Sequence, residues 1–112
     1  MAEQKLPDVV LKGMRRKCKI TVLETKWFPE HALPYIKGPC EEMKAGDVFI
    51  TTGATGEEMP EGFCPLAWQA IAPQAQVLAD GGKVFGALPV HVACCPDGAR
   101  PVIYRMEAYD EE

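Results

Sequence analysis

The sequence predicts a small α+β domain, a mostly antiparallel sheet with one kinked helix or two short helices packed on it. Three observations carry this. "KCKITVLET" (residues 17–25) alternates apolar and polar residues with the two-residue period of a half-buried strand. "FCPLAWQAIAPQAQVLADGG" (residues 63–82) repeats apolar residues at the helical spacings of three and four. "HVACCPDGARPVIYRME" (residues 91–107) reads as two short strands joined by a Pro-Asp-Gly turn.

The elements follow in order. Residues 1–13 read as a leader, 14–109 as the domain and 110–112 as an acidic tail. In the first strand Cys18, Ile20 and Val22 share one face, against Lys17, Lys19 and Thr21 on the other. "WFPEHALPYIKGPC" (residues 27–40) holds three prolines and one glycine, which leaves room for at most one helical turn. Gly46-Asp47 forms a turn into a second strand over residues 48–52, and "ATGEEMPEG" is a polar loop. Pro65 suits the first helical position, where its missing N–H would go unpaired anyway. Ala67, Ile71, Ala75 and Leu78 then fall on one face. Pro73 should kink this helix or start a second one, and Gly81-Gly82 stop it. A final hairpin pairs residues 90–95 with residues 101–109, with Val102, Tyr104 and Met106 inward. Pro89 marks the first of these two strands as an edge.

A length of 112 residues suits one modest core, and 47% hydrophobic with 25% charged residues is an ordinary globular balance. The net charge of −4 argues against a nucleic-acid partner, which calls for a basic face. The one basic cluster, Arg15-Arg16-Lys17 with Lys19, reads as a solvated strand start. No apolar run approaches the ~20 residues needed to cross a bilayer. The start, "MAEQKLPDVVLKG", lacks the apolar run of a secretory signal. A cytoplasmic location without membrane contact is therefore expected. There, five cysteines stand as reduced thiols, metal ligands or catalytic groups rather than as a disulfide framework.

Cysteine is the residue type whose number and placement exceed what a core requires. Cys64 precedes Pro65, so it should sit at the helix N-terminus, where free N–H groups and the helix dipole favour a thiolate. Against this, a cysteine beside Phe63 can simply pack as a small hydrophobe. Cys40 follows a Gly-Pro turn and precedes Glu41-Glu42, which disfavour a thiolate unless a metal compensates. Cys18 sits on the apolar face of the first strand, where core filler is the simpler reading. Alternation puts Cys94 and Cys95 on opposite faces. Cys94, in step with Val90 and Val92, is expected inward; Cys95 is expected to be the exposed functional thiol, free to swing toward the helix N-terminus.

No C-x₂₋₄-C knuckle is present: the cysteine spacings are 22, 24, 30 and 1, so a metal site must be assembled from separate segments. His31 and His91 are isolated. "GATGEE" lacks the lysine of a phosphate loop. Asp97 and Arg100 are expected to pair and hold the final turn rather than bind an anion.

Four stretches, "CKITVLE", "GPCEEMKAGDVFI", "MPEGFCPLAWQAI" and "CCPDGARPVIYRMEA", together resemble a family of small, uncharacterised bacterial cytoplasmic proteins, many from anaerobes. The resemblance covers roughly residues 17 to 108, and all five cysteines fall on its motif positions. Tyr104 departs from it, standing where the family usually has phenylalanine, and the leader is longer. The resemblance implies a shared thiol site but supplies no reaction. The leading expectation is a soft-metal or iron–sulfur site, with zinc or iron as cofactor and Cys18, Cys40, Cys64 and Cys95 as candidate ligands. A thiol enzyme with Cys64 as nucleophile and Cys95 as its resolving partner is the alternative. A structural interaction module with core thiols is the third. A homo-oligomer or a larger enzyme partner is left open.

Overall fold

The computed structural model describes residues 16–85 and 89–110. The expected leader and the last two residues of the expected acidic tail lie outside the described residues. The elements run β1 (Arg16–Thr25), β2 (Val48–Ile50), α1 (Pro65–Ala79), β3 (Val90–Cys94) and β4 (Val102–Asp110). The four strands form one sheet in the order β2-β1-β4-β3, and every neighbouring pair is antiparallel. Helix α1 packs against β1, β4 and β3, so the α+β prediction holds. No helix among the described residues is long and apolar enough to cross a membrane.

The central pair β1 and β4 follows its alternation. Cys18, Ile20 and Val22 on β1 and Val102, Tyr104 and Met106 on β4 are all buried. Register pairs Ile20 with Met106 and Val22 with Tyr104, so both apolar sets face the helix side together. A bulge between Val22 and Glu24 leaves Leu23 unpaired and exposed. Beyond the bulge the pairing runs on past the strand: Lys26 N–H donates to the Pro101 carbonyl and Phe28 N–H to the Ala99 carbonyl. The end of β1 is thereby tied to the turn between β3 and β4.

The helix presents Ala67, Ile71, Ala75 and Leu78 to the sheet, all buried, as its period predicts. It runs through Pro73 as one element rather than splitting in two. Pro73 and Gln69 are both exposed, so the Gln69 carbonyl that loses its N–H partner at Pro73 meets solvent. At the other end Gly81 N–H donates to the Leu78 carbonyl and Gly82 N–H to the Val77 carbonyl, with Gly81 at φ +87°. This pair of bonds is the Schellman stop, which needs the left-handed backbone that glycine adopts freely.

One assignment is corrected. Cys94 does not face inward: it is exposed, as is Val92, and β3 turns His91 and Ala93 toward the core side. The cause is register. Ala93 pairs with buried Tyr104 and His91 with buried Met106, while Val92 and Cys94 pair with Arg105 and Ile103 on the opposite face. "VHVAC" is apolar at most of its positions, so its composition does not select a face. As Pro89 predicts, β3 is an edge strand.

The remaining sequence features settle simply. Residues 27–40 form successive turns without a helix. Arg16 Nε pairs with Asp110 at 2.8 Å and Lys17 Nζ donates to the Gly53 carbonyl, so these basic residues serve the strand start.

Candidate thiol site

Three chain segments line one cavity. The first is the turn around Cys40, followed by buried Met43. The second is the start of α1 at Cys64, Leu66 and Ala67. The third is the β3–β4 turn from Cys95 to Arg100. Together they enclose a cavity of about 510 Å³, a size that fits a small ligand. Cys40, Cys64 and Cys95 all line it, and all three are partly buried free thiols.

Each thiol is positioned by local structure. Phe63 is buried and stacks edge-on against Phe49 at 5.0 Å and against Trp68 at 6.3 Å, which anchors the residue just before Cys64. Cys64 takes the N-cap position in extended backbone with Pro65 following, and its side chain makes no capping hydrogen bond. Its carbonyl accepts the Trp68 N–H at 2.9 Å. Cys40 is drawn in beside Met43, while Glu41 and Glu42 are exposed. Cys95 is held most closely. Its N–H donates to the Val102 carbonyl, the Val102 N–H donates to its Sγ at 3.3 Å, and its S–H reaches the Arg100 carbonyl at 3.9 Å.

The turn that follows Cys95 is built by Asp97. Its Oδ1 accepts the N–H groups of Ala99 (3.0 Å) and Arg100 (2.9 Å), and its Oδ2 accepts from Arg100 Nε at 3.2 Å. Desolvation opposes ionisation there, but the Arg100 and Ala99 amides and the Arg100 guanidinium hold the carboxyl below its usual range. The expected Asp97–Arg100 pair therefore exists, and it shapes one wall of the cavity.

The two other cysteines stand apart. Cys18 is fully buried on β1, away from the cavity, and burial first of all pushes its thiol up to about 12. Its N–H donates to Thr51 Oγ1 at 2.9 Å. Cys94 is exposed on the outer face of β3; desolvation, then the neighbouring Cys95, raises its thiol. The four expected metal ligands are thus three in the cavity and one outside it. Among the described residues no group of three or more His, Cys, Asp or Glu is arranged to hold a single metal ion.

Tyr104 is the residue that sequence reasoning missed as a site candidate. Alternation marked it as core, and it is fully buried. Yet it also lines the cavity, and its hydroxyl has no hydrogen-bond partner. Burial first, then the Cys95, Cys64, Cys40 and Cys94 thiols, push its ionisation up. Nothing in the local pattern of β4, which alternates Val102, Tyr104 and Met106 inward, distinguishes it from core. Comparison with family models, with curated proteins and with solved structures returns no match to this chain.

Proposed function

We propose that the chain is a thiol-site protein that holds a soft metal centre through Cys40, Cys64 and Cys95. The observation that supports this reading is the meeting of three free thiols, from segments 24 or more residues apart, on one largely apolar cavity. Thiolates select soft or borderline metals such as zinc, copper or iron. A mainly apolar wall strengthens the attraction between a cation and its thiolate ligands by excluding water. The Val102 N–H on Cys95 Sγ is the kind of outer contact that orients a metal-bound sulfur. Each thiol loses its proton to solvent as its bond to the metal forms.

The test is metal analysis of protein purified without oxygen. Stoichiometric soft metal is expected in the wild type, lost in Cys64→Ser and Cys95→Ser and weakened in Cys40→Ser. Cys94→Ser, altered on the outer face, and Cys18→Ala, altered in the core, should keep it. Metal-free wild-type protein, or equal retention across all five variants, would overturn the reading. Metal-free protein in which Cys64 is alkylated far faster than Cys94 belongs instead to the thiol-enzyme alternative.

A further inference from the structure

Strand β3 forms one edge of the sheet, and among the described residues no strand pairs with its outer side. An open edge is a template for another strand, and proteins blunt it with charged side chains, bulges or prolines within the strand. β3 carries none of these. Its five residues, "VHVAC", include no Lys, Arg, Asp or Glu, and its register with β4 runs without a bulge. Pro89 stands before the strand rather than in it. The Cys95 N–H donates to the Val102 carbonyl, so by alternation Ala93 and His91 direct their backbone groups to β4. Val90, Val92 and Cys94 therefore turn their N–H and C=O groups to the open edge. Their side chains lie on the outer face, where Val92 is 55% exposed and Cys94 is exposed.

We propose that β3 pairs with β3 of a second copy of this chain, antiparallel about a two-fold axis at Val92, so that two four-stranded sheets join edge to edge. The occupant is a second copy because the edge complements itself. In this register Val92 lies opposite the second copy's Val92, and Val90 lies opposite its Cys94. Each such pair exchanges two backbone hydrogen bonds, using the groups that β3 leaves open. The side chains that meet on the outer face are apolar, and no charges oppose each other there. The neighbouring charges on β4, Arg105 and Glu107, pair within one chain at 3.9 Å. Three strand spacings of about 4.8 Å put Arg105 about 14 Å from its copy, beyond the screening length of about 8 Å at physiological salt. On the helix side, His91 lies opposite the second copy's Ala93, whose methyl leaves room. Phe85, 91% exposed in left-handed backbone at φ +56°, stacks on His91 at 5.5 Å and gains a surface to cover there. Five residues a side, with Phe85, fall short of the about 20–30 of a standard interface, so the dimer is weak and forms as concentration rises. Pairing covers the Cys94 thiol, which is exposed in the single chain.

The experiment is sedimentation velocity of the whole chain, reduced and free of metal, across a concentration series. Expected is a monomer that passes into a dimer, with Cys94 alkylated several-fold more slowly once the dimer forms. Val92→Lys brings two ammonium groups together at the axis and should stay monomeric where the wild type is dimeric; circular dichroism checks that it folds. Val92→Thr should still dimerise. Val90→Cys tests the register independently of those variants. Opposed residues of a hydrogen-bonded pair lie about 5.5 Å apart between Cα atoms, within disulfide reach. Within one chain, four residues of strand hold positions 90 and 94 about 13 Å apart, so they cannot bridge. Under mild oxidation, mass spectrometry should find the introduced thiol joined to Cys94 of the other copy. A monomer at every concentration, or a dimer that a folded Val92→Lys leaves intact, would overturn the proposal. A covalent dimer of Val90→Cys linked only from Cys94 to Cys94 would overturn the register and with it the axis at Val92.

Discussion

Raising the pH should expose a stability cost at one buried thiol. Cys18 is fully buried, and desolvation first, with the Glu107 charge adding to it, lifts its ionisation from 9.0 to about 12 in the fold, against a partly offsetting backbone hydrogen bond at Glu107. A folded value raised above the unfolded one leaves stability intact below about pH 9 and drains it as the pH climbs toward about 12. Within that window the unfolded chain has lost a proton that the folded chain keeps, so stability falls by about 1.4 kcal/mol per pH unit. By about pH 11 the accumulated loss is about 3 kcal/mol, a substantial share of a small domain's total. Cys18→Ala removes this titration but gives up roughly 1 kcal/mol of buried contact at neutral pH. The two stability curves should therefore cross: the variant is weaker at about pH 7 and stronger at about pH 11. Urea unfolding of metal-free, reduced protein across that range reads the difference directly. Tyr104, also raised by burial, titrates in both proteins and drops out of the comparison. Parallel curves that never converge would refute the argument, because they would mean that Cys18 ionises in the fold as readily as in the open chain.

Two further outcomes follow from local geometry. Gly56 sits at φ +72°, and a Cβ there would meet Thr51 Oγ1 at 2.7 Å and the Lys17 backbone at 2.8 Å. Gly56→Ala should cost on the order of 2 kcal/mol or more in a denaturant melt, since strain and backbone collision act together; a loss under about 0.5 kcal/mol, the range of neutral surface changes, would contradict this. Asp97, whose carboxyl is held below 3.8, contributes stability that is present above that pH and lost as the pH falls through its lower folded value. Thermal melts should show Asp97→Ala losing less than the wild type on acidification from about pH 5 to pH 2; identical losses would mean that the turn does not depend on that charge.

The parts of the fold written in local pattern were legible without coordinates. Cys18, Ile20 and Val22 on β1, and Val102, Tyr104 and Met106 on β4, alternate cleanly because one face of each strand meets the core and the other meets charged or half-exposed neighbours. The helix was equally plain, since Ala67, Ile71, Ala75 and Leu78 recur at its period between a Pro65 start and a Gly81 stop. Where a segment is apolar on both sides, pattern fails. "VHVAC" could bury either set, and only pairing with β4, which places Ala93 opposite Tyr104, turns Cys94 outward.

The thiol site divides along the same line. Sequence marked cysteine as the residue to watch and placed Cys64 at the start of the helix, because Pro65 is a local signal. Alternation already read Cys18 as core filler, yet it stayed among the candidate ligands with Cys40, because no local signal says which distant segments meet. The tertiary fold separates them. Packing of α1 on the sheet, the turn at Cys40 and the Asp97-held turn after Cys95 close three distant segments around one cavity and leave Cys18 sealed in the core. It also turns a residue readable only as core, Tyr104, into a wall of that cavity with an unpartnered hydroxyl. Alternation decides which way a side chain points; what it then meets depends on segments far away in the chain, and that is a property of packing alone.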